Sequence, residues 1–204
     1  MTTIVGLRRT RAGGPTVEVV LDSGERLRVH DRRLGEHGLC TGTTLAPATY
    51  EALQTAGRLD TAERRALRLI AVRPRSRSEL RRRLGEWGLG ETDSAAVLER
   101  LAAIGLVDDD ALAAAVVSIR RADAYGRLRV GFDLDRLGID EETGAGHTAT
   151  SAADELDRAR RALRGRHAPD ARDPASLRRA AAFLARRGFD ADTVAAALGH
   201  ELDA

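Results

Sequence analysis

The densest basic site in the sequence is Arg73-Pro-Arg75-Ser-Arg77, followed shortly by Arg81-Arg82-Arg83. Guanidinium groups bind phosphate and carboxylate oxygens through paired hydrogen bonds, so this spacing suits a polyanion or an acidic protein surface. Ser76-Arg-Ser-Glu79 is a capping box and predicts a helix start, whose backbone N–H groups also favour anions. A helix-turn-helix reader of DNA has this form, but no Gln or Asn stands here to read adenine.

Residue types that carry catalysis are present but scattered. The five histidines have no spacing to one another or to the single cysteine that suits a metal. Gly144-Ala-Gly146 follows no strand and precedes no Gly-Lys-Ser/Thr, which argues against a phosphate loop. Asp108-Asp-Asp110 is explained more simply as the charged start of a helix than as a cation site. Cys40 has no evident catalytic partner, so we expect no enzyme, no metal and no cofactor.

Two aromatic residues near the basic segments have two interpretations each. Trp87 and Tyr125 can stack on nucleic-acid bases, or they can belong to the core. We favour the core for Trp87 because it stands directly before Gly88, at the end of an apolar helical pattern.

Charge alternates along the chain although its formal net value is only +2. Residues 58–87 carry ten arginines against four acids, whereas residues 88–119 carry one arginine against six acids. Residues 158–189 are basic again, with ten arginines against two acids. Either the blocks compensate one another in a solvated bundle, or they form a basic strip on one side for a polyanion or an acidic protein.

The alternation of charge follows a repeat that is marked by three glycines at a spacing of fifty residues. Gly88, Gly138 and Gly188 each follow a pair of apolar residues four apart and precede a large apolar residue. Glycine adopts the left-handed conformation that ends a helix, and the apolar residue after it folds back onto that helix. A pattern repeated at a fixed period predicts tandem copies of one small unit.

The rest of the chain divides around these repeats. We expect a mainly α fold, a tandem array of three-helix repeats preceded by a small β-meander. The predicted boundaries are 1–57 for a β-rich extension with a linking helix, and 58–107, 108–153 and 154–204 for the repeats. The predicted strands are 4–11, 16–21 and 25–30, with a turn at 13–15 and a short helix around Leu34.

The predicted helices begin at Pro47 and follow from the same pattern of apolar residues. They cover 47–57, 61–72, 76–88, 92–104, 108–119, 128–137, 174–187 and 190–202, and the third repeat resumes at Asp154 before a loop at 167–170. The stretch 141–153 has two glycines, several threonines and no large apolar residue, which makes it a poor helix. We expect a flexible or eroded element there.

Composition limits where the protein acts. One cysteine allows no intramolecular disulfide, and no apolar run approaches the roughly 20 residues of a membrane span. The N-terminal residues lack the basic and apolar regions of a secretory signal. We expect a cytoplasmic monomer without membrane contact.

The motifs together resemble those of the RecX family. The first comprises Arg75-Ser-Arg77-Ser-Glu79-Leu80 with Leu84 and Gly88, then Leu98, Leu101, Gly105-Leu-Val-Asp108-Asp109 and Ala113. The second is Gly126-Arg-Leu-Arg129-Val130 through Leu134 to Gly138-Ile139, and the third is Ala182-Phe-Leu184-Ala-Arg-Arg187-Gly188-Phe189. The resemblance covers about residues 60–200. Two features depart from it: Leu112 stands where an aromatic residue is usual, and 143–151 replaces an expected helix.

The resemblance implies wingless winged-helix-like repeats that bind RecA–DNA filaments and restrain strand exchange, ATP hydrolysis and coprotease activity. We therefore expect RecA filaments and non-specific DNA as partners. The alternatives are a free-standing nucleic-acid-binding protein of tandem helix-turn-helix units and a structural scaffold. The predicted contact residues are basic and lie on the second helix of each repeat: Arg75, Arg77, Arg81, Arg82, Arg127, Arg129, Arg178 and Arg179.

Overall fold

The computed structural model describes residues 2–9, 15–164, 169–170 and 172–199. The strands are β1 (Thr2–Arg9), β2 (Thr16–Leu21), β3 (Arg26–His30) and β4 (Thr44–Leu45). The helices are α1 (Arg32–Glu36), α2 (Pro47–Val72), α3 (Arg77–Glu86), α4 (Glu91–Ala103), α5 (Asp109–Ala122), α6 (Arg127–Arg136), α7 (Glu141–Thr148), α8 (Ala152–Arg164), α9 (Pro174–Arg186) and α10 (Ala191–Ala197). The predicted fold class, mainly α with a small N-terminal antiparallel sheet, is confirmed.

The chain forms two compact units. The first comprises Met1–Pro74 with Leu80–Leu106, and the second comprises Arg75–Glu79 with Val107–Ala204. The first turn of α3 therefore belongs to the second unit. The four-part division predicted from sequence is a different description and stays a prediction.

The sheet of the first unit is antiparallel with strand order β3-β2-β1-β4. Period-two alternation in β3 buries Leu27 and Val29 and leaves Arg26 and Arg28 exposed. The three predicted strands are confirmed within the described residues. The end of the first predicted strand and most of the predicted turn fall on positions 10–14, which lie outside the described residues. The fourth strand, β4, is only two residues long and was not predicted.

The prediction that a helix ends near Gly57 is wrong, because α2 continues through it for 26 residues. A Cβ placed on Gly57 would stand 2.9 Å from the Arg28 carbonyl oxygen in β3. Glycine here allows the helix to approach the strand backbone closely, and it does not act as a helix end. The sheet and α2 thereby pack together, with Leu53 of α2 in the same apolar cluster as Val29.

The second unit contains two small apolar clusters. One is formed by α5, α6 and Ile139 just after α6, and the other by α8, α9, Phe189 just after α9, and Ala124, with α10 packed against it. Their members are Ala113, Val117, Val130, Leu134 and Ile139 in the first, and Ala124, Ala159, Ala162, Leu163, Leu184 and Phe189 in the second.

The predicted glycine helix ends are confirmed at the level of hydrogen bonds. Gly88, Gly138 and Gly188 have φ of 83°, 69° and 83°. In each case the glycine N–H donates to the carbonyl three residues earlier, and the next residue donates five residues back, at 2.7–3.2 Å. This is the Schellman arrangement, and we call each of these helix ends a glycine cap: Trp87–Leu89 after α3, Leu137–Ile139 after α6 and Arg187–Phe189 after α9.

The expectation of an eroded element after Gly138 needs correction, because residues 141–148 form the helix α7. It is short and buries no residue, in keeping with its composition. Asp140 caps its start by accepting from the Thr143 N–H at 2.9 Å. At its end the Arg121 guanidinium donates to the carbonyls of residues 147–149 at 2.8–3.4 Å. Polar capping at both ends compensates for the poor helix propensity.

Candidate partner-binding surface

The start of α3 packs against the glycine cap of α6, and we call this contact the first junction. The Ser76 hydroxyl donates to the Leu137 carbonyl, and the Arg77 N–H donates to the Asp109 carboxylate at 2.8 Å. A Cβ on Gly138 would overlap the Ser78 side chain. The cap therefore requires glycine for its φ and also for the neighbouring helix.

The same arrangement recurs fifty residues later, where α6 meets the glycine cap of α9; this is the second junction. The N–H groups of Gly126 and Leu128 donate to the carbonyls of Arg187 and Gly188 at 2.9 and 3.0 Å. The Arg127 N–H donates to the Glu155 carboxylate at 2.6 Å. At each junction a carboxylate accepts from a backbone N–H at a helix start, a group that has no partner within its own helix. The helix dipole also favours a negative charge at this position.

Four of the eight predicted contact arginines lie at these junctions. Arg75 is paired with Glu79 at 2.5 Å, and both side chains are only 14% exposed. Arg129 pairs with Asp133 at 3.1 Å. Arg77 is half-buried at the start of α3. The side chains of Arg75 and Arg129 make local ion pairs, and that of Arg77 is partly buried, so sequence reasoning that treated all basic positions alike did not separate these three from the exposed ones.

Arg127 is at a junction and is also exposed. Its guanidinium pairs with Asp190 at 3.0 Å, and its side chain remains 52% exposed. The pKa of Asp190 is lowered, chiefly because its carboxylate accepts from the backbone N–H and hydroxyl of Thr193, with a smaller contribution from Arg127. Asp190 is therefore ionised at neutral pH and holds Arg127 in place.

Arg81 and Arg82 lie on the exposed side of α3. Their side chains are 50% and 59% exposed and pair with Glu91 at 3.5 Å and Glu86 at 2.7 Å. The pKa of Glu86 is lowered by hydrogen bonding to Arg83, with weaker contributions from Arg82. Surface pairs of this kind contribute little stability and exchange readily for an external anion.

Arg178 and Arg179 lie in the first turns of α9 and are also exposed. Arg178 donates to the Pro174 carbonyl at 3.2 Å, and Arg179 pairs with Asp173 at 3.3 Å. The second junction is at the opposite end of α9. About 13 Å of helix therefore separates Arg178 and Arg179 from the contact of α6 with Arg187.

One face of α6 carries an exposed apolar and arginine-rich patch that sequence reasoning missed. Leu128 and Phe132 are 52% and 53% exposed, although the opposite face buries Val130 and Leu134. The guanidinium groups of Arg129 and Arg136 lie 5.8 and 5.9 Å from the centre of the Phe132 ring. We call this set the α6 patch: Leu128, Arg129, Phe132 and Arg136.

Tyr125 extends the α6 patch at the start of the helix. It is half-buried, and the guanidinium groups of Arg187, Arg120 and Arg129 lie 4.8, 5.3 and 6.0 Å from its ring centre. Exposed aromatic residues combined with arginine are typical of binding surfaces. The signal in the sequence was Tyr125, Leu128, Phe132 and Arg136 at helical spacing, next to the basic positions already noted.

Comparison with known proteins identifies relatives over most of the chain. A regulatory protein RecX of Xanthomonas campestris pv. campestris is 36% identical over 140 residues, which cover 68% of this chain and 86% of the relative. One from Stenotrophomonas maltophilia is 34% identical over 147 residues, covering 72% and 90%. The family description "RecX, first three-helix domain" matches residues 62–101. The chain belongs to the RecX family of regulatory proteins.

Solved RecX structures share the fold. A crystal structure of a regulatory protein RecX superposes with a TM-score of 0.71 at 23% identity, covering 98% of this chain and all of the other. RecX from Lactobacillus salivarius gives a TM-score of 0.60 at 16% identity, covering 71% and 96%. The resemblance inferred from the three glycine signatures is confirmed.

Leu112, where the resemblance led us to expect an aromatic residue, lies in an ordinary apolar environment. Leu112 is half-buried and packs against the apolar cluster of α5 and α6, beside Val116 and Tyr125. Trp87 is likewise half-buried, and the Arg65 guanidinium lies 5.6 Å from its ring centre.

Within the described ranges, no group of three or more His, Cys, Asp or Glu side chains is arranged to hold a metal ion. No helix in the described part of the chain is long and apolar enough to cross a membrane. Cys40 is exposed, and its thiol lies 3.3 Å from the Thr43 hydroxyl.

Proposed function

We propose that this RecX-family chain binds RecA–DNA filaments and inhibits the recombinase, ATPase and coprotease activities of RecA. The proposal puts its action in the cytoplasm, as a monomer, in DNA repair and the SOS response. Family membership supports the regulatory role. The single structural observation that carries a binding function is the α6 patch, since exposed Phe132 between two arginines contributes nothing evident to the fold.

The proposed contact residues are of two kinds. The α6 patch supplies apolar and aromatic area for a protein surface. The exposed arginines supply charge for phosphate and acidic side chains, and they are Arg81, Arg82, Arg127, Arg178 and Arg179. Of the remaining predicted residues, Arg129 contributes as a member of the α6 patch, Arg75 through its pairing with Glu79 at the helix start, and Arg77 through its backbone.

The test is the DNA-dependent ATPase activity of RecA in the presence of sub-stoichiometric protein. The parent protein should inhibit well below one molecule per RecA subunit. Phe132→Ala combined with Arg136→Glu should raise the half-inhibitory concentration at least about tenfold, because the complex loses both an aromatic anchor that binding would bury and a positive charge. Arg68→Glu changes an equally exposed arginine of α2 outside the proposed surface and is the matched control.

Two outcomes would contradict this assignment. If the Phe132 and Arg136 variant keeps its helix content by circular dichroism and inhibits like the parent, the α6 patch is not the contact surface. If the parent protein inhibits only in proportion to the DNA it occupies, filament regulation is wrong.

A free-standing nucleic-acid-binding protein is the second candidate. The rings of Tyr125 and Phe132, flanked by arginines, are the observation that favours it, because bases stack on such surfaces. This function predicts tight binding to single-stranded DNA without RecA, with steep weakening by salt. Fluorescence anisotropy with a labelled oligonucleotide at two salt concentrations distinguishes it from filament binding.

A further inference from the structure

The glycine cap of α3 differs from the other two in what surrounds it. The caps of α6 and α9 each hold the start of another helix, and a Cβ on either glycine would overlap that helix. At Gly88 no described atom beyond its chain neighbours lies within 4 Å of the Cβ position. Of the three glycine caps that recur at a spacing of fifty residues, two are therefore filled and one is open.

The open cap of α3 borders a cavity of about 540 Å³ within the first unit. Trp87, Gly88, Leu89 and Gly90 form one wall, and α2 and β3 form the others. Four arginines line it: Arg26, Arg28, Arg58 and Arg65. We call this cavity the Trp87 groove.

The backbone of the groove suits the start of a helix. The carbonyls of Leu137 and Arg187 accept hydrogen bonds from the helix starts docked on their caps, and Trp87 is the residue at the same position of its own cap. The C-terminal end of a helix carries partial negative charge and attracts the positive N-terminal end of another. The residues that contact the two filled caps, Ser76 and Gly126, are small, so a small residue at the start of a helix fits against such a cap.

The charge of the groove is the reverse of that at the filled caps. At the second junction Asp190 follows the cap and pairs with Arg127 of the docked helix start. Asp140 stands at the same position of the first junction, whereas Gly90 replaces it beside the groove. A docked segment would therefore face arginines in place of a carboxylate.

The arginines of the groove remain available to an anion. Arg26 and Arg28 are 56% and 65% exposed and share Glu18 at 3.4 and 3.5 Å. Arg58 donates to the Thr55 hydroxyl at 3.2 Å, and Arg65 stacks on Trp87. Two acids also line the cavity: Asp93, and Glu25, which accepts from the Tyr50 hydroxyl at 2.6 Å. Four arginines against two acids leave the lining positive.

We propose that the Trp87 groove binds the N-terminal turn of an acidic helix of a partner protein. The partner helix begins with a small capping residue and carries Glu or Asp in its first turn, next to Arg58 and Arg65. The helix starts that fill the other two caps carry arginine and do not suit this groove. The residues that line the groove are not among the proposed RecA-contact residues, and the proposal does not depend on that contact.

The experiment uses the full chain and two synthetic helical peptides of about 20 residues, long enough to hold helix in water. One begins Ser-Pro-Glu-Glu, and the other begins Ser-Pro-Gln-Gln and is otherwise identical. Trp87 is the only tryptophan, so its emission reports occupation of the groove directly. Anisotropy of the labelled peptides gives the affinities in the absence of RecA and DNA.

The acidic peptide should shift Trp87 emission and bind about tenfold more tightly than the neutral one. Arg58→Glu combined with Arg65→Glu should remove this preference. The milder pair, Arg58→Gln with Arg65→Gln, should reduce it and keeps the test possible if the first variant does not fold. Arg68→Glu lies on the same helix outside the groove and should bind like the parent.

Three results would overturn the proposal. Equal binding of the two peptides would show that charge does not select the occupant. A Trp87 shift caused by a single-stranded oligothymidylate, with none by peptide, would make the groove a nucleic-acid site. Concentration-dependent self-association that the Arg58 and Arg65 variants abolish would make its occupant a second copy of this chain.

Discussion

In both junctions of the second unit a helix start packs on a glycine cap, but different groups make the contact. In the first, serine side chains make the contact and the carboxylate of Asp109 is half exposed. In the second, backbone N–H groups make it, and Glu155 is only 2% exposed. A contact between backbones cannot relax by rotating a side chain, so the second junction tolerates less change. Repeats of equal spacing therefore need not be equal in stability or in their response to mutation.

Glu155 also pairs with a buried arginine. Its second carboxylate oxygen pairs with Arg158, which is 6% exposed and donates to the Thr150 hydroxyl at 3.0 Å. Removing one member of a buried pair leaves an uncompensated charge, and the cost is much larger than for an exposed cap.

The largest effect should come from the junction carboxylates. We expect Glu155→Ala to lower the free energy of unfolding by about 3–5 kcal/mol, because Arg158 stays buried without its partner. Asp109→Ala should cost only about 1 kcal/mol, as for an ordinary helix cap. Urea unfolding followed by circular dichroism measures both, and equal losses would show that burial does not distinguish the junctions.

Alanine at the three cap glycines should give a graded series. Gly188→Ala should cost about 3 kcal/mol or more, since a positive φ is combined with overlap on the Arg129 backbone. Gly138→Ala should cost about 2 kcal/mol, because the overlapping atoms belong to the Ser78 side chain, which can move. Gly88→Ala should cost about 1 kcal/mol from its φ alone. The order of the three midpoints in urea is the test, and a Gly88 variant as damaging as the Gly188 variant would contradict it.

The smallest effect concerns acid. The pKa of Asp190 in the folded protein lies below its ordinary value of about 3.9, so its stabilisation is complete above pH 4 and is lost as pH falls through the folded pKa. Asp190→Asn should therefore lose less stability than the parent between pH 5 and pH 2. The difference should be under about 1 kcal/mol, because the carboxylate is partly exposed. Acid titration of both proteins by circular dichroism measures it, and parallel curves would show that Asp190 does not stabilise the second junction.

Local patterns in the sequence were sufficient where the deciding interactions are local. The helix ends at Gly88, Gly138 and Gly188 follow from the positive φ of each glycine. The apolar residue after the glycine then contacts the residue five positions before itself. Asp108 was expected to begin a helix, and it accepts from the Ala111 N–H at 2.9 Å. Gly57 was misassigned because the reason for a glycine there is the backbone of β3, which lies elsewhere in the chain.

The candidate surface was predictable only in outline. Arg81, Arg82, Arg178 and Arg179 were proposed from the basic second helices of the repeats, and all four are exposed in the structure. Arg75 could not be separated from them, because its pairing with Glu79 and its burial depend on how the helix start is packed. The end of helix α7 is capped by Arg121 of α5, and no window of sequence around residue 145 contains that contact.

The sequence by itself determined the repeat: its fifty-residue period, the helix ends, the basic second helices and the RecX family. These depend on backbone preference and apolar spacing within about ten residues of each glycine. Only the tertiary structure decided what each glycine cap contacts. Two caps meet a helix start and the third borders an open cavity with arginines, because that choice depends on neighbours brought together by folding, which the period does not encode.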